Sequence, residues 1–89
     1  MKNKVVVITG GSSGIGKALA EKFGAEGSKV LITGRNQLDL EATVSELRGK
    51  GYAIHGFQAD VSNESDNKAM AEEAVRTYGT IDILINNAG

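Results

Sequence analysis

Two hydrophobic rhythms alternate along this chain. Short unbroken apolar runs are separated by longer stretches whose apolar residues recur every three or four positions. Residues 4–9, around Val5-Val6-Val7-Ile8, are β-branched, continuous and short, as in a strand buried on both faces. Residues 15–26 read as a helix, with Ile15, Ala18, Leu19 and Phe23 on one face and Glu21, Lys22 and Glu26 opposite. Gly27 stops it. Residues 29–33 are a second strand. Asn36 or Gln37 opens a second helix, with Leu40, Val44 and Leu47 at helical spacing and Gly49 and Gly51 at its end. Residues 53–59 read as a third strand, interrupted by Gly56. A third helix is capped by Ser62, or starts later at Ser65-Asp66; Met70, Ala71, Ala74, Val75 and Tyr78 form its apolar face and Gly79 stops it. Residues 81–85 are a fourth strand. The order β-α-β-α-β-α-β predicts a parallel α/β sheet with right-handed crossovers. Helices one and two then cover one face and helix three the other.

The first strand-to-helix junction carries Thr9-Gly10-Gly11-Ser12-Ser13-Gly14-Ile15-Gly16. Glycines let backbone approach an anion closely, and a helix start offers unpaired N–H groups and a positive dipole end. The stretch is no ATPase phosphate loop, because no Gly-Lys-Ser/Thr follows. Nor is it G-x-G-x-x-G: Leu19 stands where the third glycine belongs after Gly14 and Gly16. What stands here is T-G-x-x-x-G-x-G. With this turn after strand one, the expected strand order is 3-2-1-4, the start of a doubly wound nucleotide-binding fold. Its switch point falls between strands one and four, walled by the glycine loop and Asn86-Asn87-Ala88-Gly89.

The end of strand two selects the nucleotide. Folds that prefer NAD place an acid there for the ribose 2′-hydroxyl. This chain has Gly34-Arg35-Asn36. An arginine fork pairs with a 2′-phosphate that a carboxylate would repel. Arg35 is therefore assigned to the 2′-phosphate of NADP, with Ser12 and Asn36 as supporting donors; the alternative is that Arg35 merely begins a surface helix. Asp60, ending strand three, can accept from an exocyclic amine or can orient the following helix.

Thr9, Gly10, Gly14 and Gly16, together with Asp60-Val61 and a letter-for-letter N-N-A-G at residues 86–89, resemble the classical short-chain dehydrogenase/reductase family. The resemblance spans residues 4–89 and implies the N-terminal, cofactor-binding half of a Rossmann fold, a partial domain covering residues 1–89 and ending after strand four. It implies that Asp60 meets the adenine amino group and the Val61 N–H its ring. It further implies that Asn86 ties neighbouring strands together, while Asn87, Ala88 and Gly89 line the adenosine side. The cofactor-binding set is then Gly10, Ser12, Ser13, Gly14, Ile15, Gly16, Arg35, Asn36, Asp60, Val61, Asn87, Ala88 and Gly89. Family members run well beyond this length and use a downstream serine with Y-x-x-x-K. Here Tyr52 is followed four later by Gly56 and Tyr78 by Asp82, so no catalytic residue is assigned and the chain alone is expected to be inactive. The parent protein would transfer hydride between NADP(H) and a carbonyl or alcohol. Two alternatives stand beside this: a non-catalytic nucleotide-binding or assembly module, and an NAD-preferring member in which Arg35 is idle. Asn67 departs from the family pattern, where an apolar residue is commoner, and is expected to weaken the third helix slightly.

Composition narrows the partners. The 89 residues carry a net charge of −1, giving no electrostatic case for nucleic acid or a membrane surface. There is no cysteine and one histidine, His55, so no metal site is expected, and His55 reads as a satisfied strand residue. The run after Lys2 and Lys4 is too short for a signal peptide, and a cytoplasmic location is expected. A chain this short buries roughly 60–65% of its unfolded surface. Apolar residues around Val5–Ile8 and residues 81–85 are expected to be under-covered, with strand four an open edge that self-associates or serves a homo-oligomer.

Overall fold

Seven elements follow one another in the predicted alternation. They are β1 (Val5–Thr9), α1 (Gly14–Ala25), β2 (Lys29–Gly34), α2 (Gln37–Gly49), β3 (Ala53–Gln58), α3 (Glu64–Tyr78) and β4 (Ile83–Asn86). The computed structural model describes residues 2–87. All strand pairs are parallel and the sheet order is β3-β2-β1-β4, the order expected for the first half of a doubly wound fold. The register sets Val6 beside Val30 and Ile83, and Thr9 beside Asn86. Every strand therefore ends at the same edge of the sheet, where loops can converge.

Alternation within the strands sorts the core into two layers. Val6, Ile8, Val30, Ile32 and Ile54 face α1 and α2, meeting Ala20, Leu40, Val44 and Leu47. Val7 and Leu31 face α3, meeting Met70 and Ala74. Helices one and two thus cover one face and helix three the other, as the topology requires.

Helix α1 differs from its hydrophobic reading. Its buried residues are Gly16, Ala20 and Gly24, while Ile15 is 70% exposed and Ala18 also faces solvent. Small residues one turn apart let the helix lie close on the sheet, and Leu19 and Phe23 pack on its flank. A Cβ on Gly24 would stand 2.9 Å from the Tyr52 side chain. The closeness of the contact, and not its hydrophobicity, sets the face.

Helix α3 begins at Glu64, capped by Asn63, whose side-chain oxygen accepts from the N–H groups of Ser65 (2.8 Å) and Asp66 (3.3 Å). Ser62 is not the cap, because its N–H and hydroxyl both donate to Asp60. Asn67 donates to the Val61 carbonyl at 2.7 Å, so the departure from an apolar residue supplies a tie instead of a loss. His55 on β3 meets Glu73 on α3 at 2.7 Å, the satisfied strand histidine that was expected. Gly79 closes α3 at φ +89°, a left-handed conformation open to glycine at little cost.

Strand β4 starts at Ile83, two residues later than its apolar run suggests. Asp82 bonds Val5 through both backbone and side chain, and Ile81 packs on the α3 layer. The expected under-covering of residues 5–8 does not occur: Val5 is 2% exposed and Val6, Val7 and Ile8 are fully buried, because helices lie on both faces of the central strands. Exposure appears instead on β4, one of the two edge strands among the described residues, where Leu84 is 56% exposed. Leu84 is the register partner of Val7.

Leu31→Ala removes a fully buried side chain between β2 and α3. It is expected to cost about 2–5 kcal/mol in chemical denaturation, whereas Leu38→Ala, on an exposed helix position, should stay within about 0.5 kcal/mol.

Candidate functional site

The β1–α1 turn is held by contacts that only glycine permits at two positions. The Gly11 N–H donates to the Thr33 carbonyl at 2.8 Å, and a Cβ on Gly11 would drive into Ile32. The loop is thereby bolted onto β2. A Cβ on Gly16 would fall against the Gly10 carbonyl oxygen and 2.7 Å from the Asn87 side-chain nitrogen. Between them Ser13 acts as hub. Its N–H and hydroxyl donate to the Gly10 carbonyl (3.1 and 2.8 Å), its hydroxyl oxygen accepts from the Gly16 N–H (3.3 Å), and its carbonyl receives the Lys17 N–H (2.7 Å). Ser13 is the N-cap of α1.

Gly14 is different. A Cβ there would meet nothing within 4 Å, so the protein's own packing does not demand glycine. The N–H groups of Gly14 and Ile15 have no acceptor among the described residues, as the first turn of a helix leaves them. Open space over two free donors at a positive dipole end fits a phosphate group that must come within contact of the backbone.

Three further strand ends complete a cleft of about 510 Å³ at the carboxyl edge of the sheet. From β2 come Thr33, Gly34 and the exposed Arg35; a Cβ on Gly34 would stand 3.0 Å from the Ser12 hydroxyl. Arg35 has no carboxylate among the described residues within ion-pairing distance. Asn36 caps α2, its side-chain oxygen accepting from the Asp39 N–H at 3.1 Å, which leaves its amide protons as the donors available to a ligand. From β3 come Ala59, Asp60, Val61 and Ser62. The Ser62 hydroxyl (2.6 Å) and N–H (3.0 Å) donate to Asp60, and these bonds, with a smaller pull from Arg35, hold its carboxyl below the ordinary carboxylate value. Asp60 is thus an acceptor at the cleft wall and also the organiser of the turn into α3, the second of the two roles the sequence offered.

From β4, Asn86 lines the cleft and its side-chain oxygen accepts from the Thr9 hydroxyl at 3.1 Å, tying β1 to β4. The Asn87 N–H donates to that same hydroxyl, and its side-chain amide donates to the Gly10 carbonyl (3.3 Å) and the Ser13 hydroxyl (3.1 Å). Asn87 therefore braces the glycine loop from the far wall.

Of the expected set, Gly10, Ser12, Ser13, Arg35, Asn36, Asp60 and Val61 share the cleft. Gly14 and Ile15 stand at the head of α1, with Ile15 presenting an apolar side chain to solvent. Gly16 lies buried beneath the loop it supports. Ala88 and Gly89 lie outside the described residues. Thr33, Gly34, Ala59, Ser62 and Asn86 line the cleft without having been in that set. Register was the signal for four of them: parallel strands ending together bring Thr33, Gly34 and Asn86 at their strand ends, and Ala59 just after β3, to one edge. Lys17 pairs with Glu46 on α2 at 2.8 Å and so links two helices. Among the described residues no group of three or more acidic, histidine or cysteine side chains could hold a metal, and no helix is long and apolar enough to cross a membrane.

The family model described as short chain dehydrogenase matches residues 4–89. The chain belongs to the short chain dehydrogenase family. A probable 2,4-dienoyl-CoA reductase of Bacillus subtilis is 47% identical over 88 residues, which are 99% of this chain and 35% of that protein. Among solved structures, an actinorhodin polyketide ketoreductase with NADPH superposes with TM-score 0.95 at 36% identity, covering all of this chain and 35% of that one. A short chain dehydrogenase/reductase from Burkholderia phymatum in complex with NAD superposes with TM-score 0.91 at 37% identity, covering 93% of this chain and 30% of that one. The chain spans about a third of the length of the curated relatives it matches first, 33% and 35%. Short chain dehydrogenases are oxidoreductases, and neighbours of this chain hold a nicotinamide dinucleotide, with and without the 2′-phosphate.

The two kinds of loop glycine separate by experiment. Gly16→Ala is expected to lower stability by about 1–3 kcal/mol, because its Cβ must displace backbone. Gly14→Ala should melt within about 0.5 kcal/mol of the unaltered protein while losing affinity for nucleotide, as read by thermal denaturation beside a nucleotide titration.

Proposed function

We propose that the protein containing this chain is an NADP(H)-dependent short-chain oxidoreductase acting on a carbonyl or alcohol, and that these residues hold the adenosine and pyrophosphate part of the cofactor. The observation that carries the reading is the end of β2. Arg35 stands at the cleft with no carboxylate partner among the described residues, and Gly34 occupies the place where an NAD-preferring fold sets its acid. A guanidinium offers a 2′-phosphate two parallel charged hydrogen bonds.

The residues present fit the cofactor. The open space at Gly14 and the N–H groups of Gly14 and Ile15 suit the pyrophosphate. Asp60, ionised and fixed by Ser62, suits an exocyclic amine of the base, with Val61 beside it. Ser12 and the Asn36 amide flank Arg35 as further donors. Asn87 holds the loop against the ribose side, and Ala88-Gly89 continue that wall by resemblance. When bound, the nicotinamide supplies or accepts the hydride. This chain's share is to bind, orient and fix charge. No group in it is assigned to protonate a substrate, so catalysis belongs to residues beyond it.

The half-fold is also proposed to associate with a further chain through β4. Among the described residues no strand lies on its outer side, and Leu84 there is exposed, the features that invite strand pairing. As an isolated 89-residue polypeptide it should elute from gel filtration as a dimer or larger; a monomer would contradict this.

Arg35→Asp is expected to reduce affinity for adenosine 2′,5′-bisphosphate by about 10- to 100-fold, the loss of a charged hydrogen-bonding pair, and to leave 5′-AMP nearly unaffected. Calorimetric titration of both ligands measures it. An unchanged ratio would remove the assignment of Arg35.

A further inference from the structure

Backbone accounting around Arg35 leaves one carbonyl without a regular partner. The preceding Gly34 carbonyl accepts the Ala59 N–H at 3.1 Å, extending the β2–β3 ladder. The following Asn36 carbonyl accepts the Leu40 N–H at 3.0 Å, the first bond of α2. The Arg35 carbonyl belongs to neither ladder nor helix. It accepts from the Gln58 side-chain amide at 3.1 Å instead. Gln58 is the last residue of β3 and the register partner of Gly34.

Both groups are exposed, so water would satisfy this carbonyl equally well. The bond therefore adds little to stability, and its consequence is geometric. Gly34 and Asn36 are each fixed by regular structure, and Gln58 fixes the peptide between them, from which the long Arg35 side chain springs. Arg35 borders a second space as well as the main cleft. Beside the main cleft lies a recess of about 420 Å³, lined by Arg35, Gln58, Ala59, Asp60 and Asp66, which offers two acidic side chains. Asp66 already accepts the Asp60 N–H at 2.8 Å, and Arg35 stands on the border between this recess and the cleft, so its backbone anchor decides which of the two the side chain serves.

We propose that Gln58 is a specificity-determining positioning residue. Its amide holds the Arg35 peptide so that the guanidinium serves a ribose 2′-phosphate in the main cleft and not the acidic recess. The inference rests on the NADP reading of Arg35 and extends it to a side chain outside the lining of the main cleft.

The test uses the intact protein, with adenosine 2′,5′-bisphosphate and 5′-AMP as probes. The two differ by the 2′-phosphate alone. Gln58→Met keeps the length of the side chain and removes the donor. It should lower the preference for the bisphosphate by about three- to tenfold, the cost of ordering one released side chain, with 5′-AMP affinity unchanged. Gln58→Glu, which cannot donate when ionised and adds a negative charge, should lower it further. A preference that survives Gln58→Met, or a loss shared equally by both probes, would overturn the inference while leaving Arg35 in place. Equal affinity of the unaltered protein for both probes would overturn the NADP reading, and this inference with it.

Discussion

The contact between the Gly10 carbonyl and the bare Cα of Gly16 is the constraint on which the site depends. It folds the β1–α1 turn back onto the first turn of its own helix, and Ser13 and Asn87 then lock the same carbonyl in place. Once the turn is closed, α1 must descend close to the sheet, and it does so on Gly16, Ala20 and Gly24. The helix start, with its unpaired Gly14 and Ile15 N–H groups, is thereby aimed along the carboxyl edge of the strands. A side chain at Gly16 would lift the helix head, and the Gly14 and Ile15 donors would shift with it.

The rest of the site is built from polar ties between strand ends. Thr9 meets Asn86, Gly11 meets Thr33, Gln58 meets Arg35, and Asn67 holds the Val61 carbonyl. The Gln58 and Asn67 bonds are exposed and exchange for water at little cost, whereas Gly11, Thr33 and Thr9 are buried and need their partners. Together they fix four loops relative to one another before any ligand arrives, which lowers the ordering cost of binding. The hydrophobic layers below do the stabilising, and the edge above is left to recognition. Asp60 shows how closely the two are joined: the Ser62 bonds that shape the turn into α3 are the same bonds that keep its carboxylate ionised.

Much of this was legible before any coordinates. The β-branched runs and glycine stops place all seven elements within a few residues, and the alternation with one glycine turn suffices for the order β3-β2-β1-β4. The departures share a cause. Ile15 looked like core because hydrophobicity marks a face only where the contact is greasy, and α1 docks through glycine and alanine. Ser62 and Asn63 are both capable caps, and the choice between them was made by Asp60, which claims Ser62 for itself. Asn67 looked like a packing defect because its partner, the Val61 carbonyl, is a backbone group with no sequence signature. Thr33, Ala59 and Ser62 entered the cleft through register and loop closure, properties of the assembled sheet. Elements follow from local pattern; ties between loops follow from tertiary position.

The most direct measurement is a crystal structure of the intact protein with NADPH bound. The 2′-phosphate is expected within hydrogen-bonding distance of the Arg35 guanidinium, with a pyrophosphate oxygen over Gly14 receiving the N–H of Gly14 or Ile15 and the adenine amino group at Asp60. A cofactor whose 2′-phosphate faces solvent, with Arg35 turned into the acidic recess, would contradict the assignment of this edge as an NADP site.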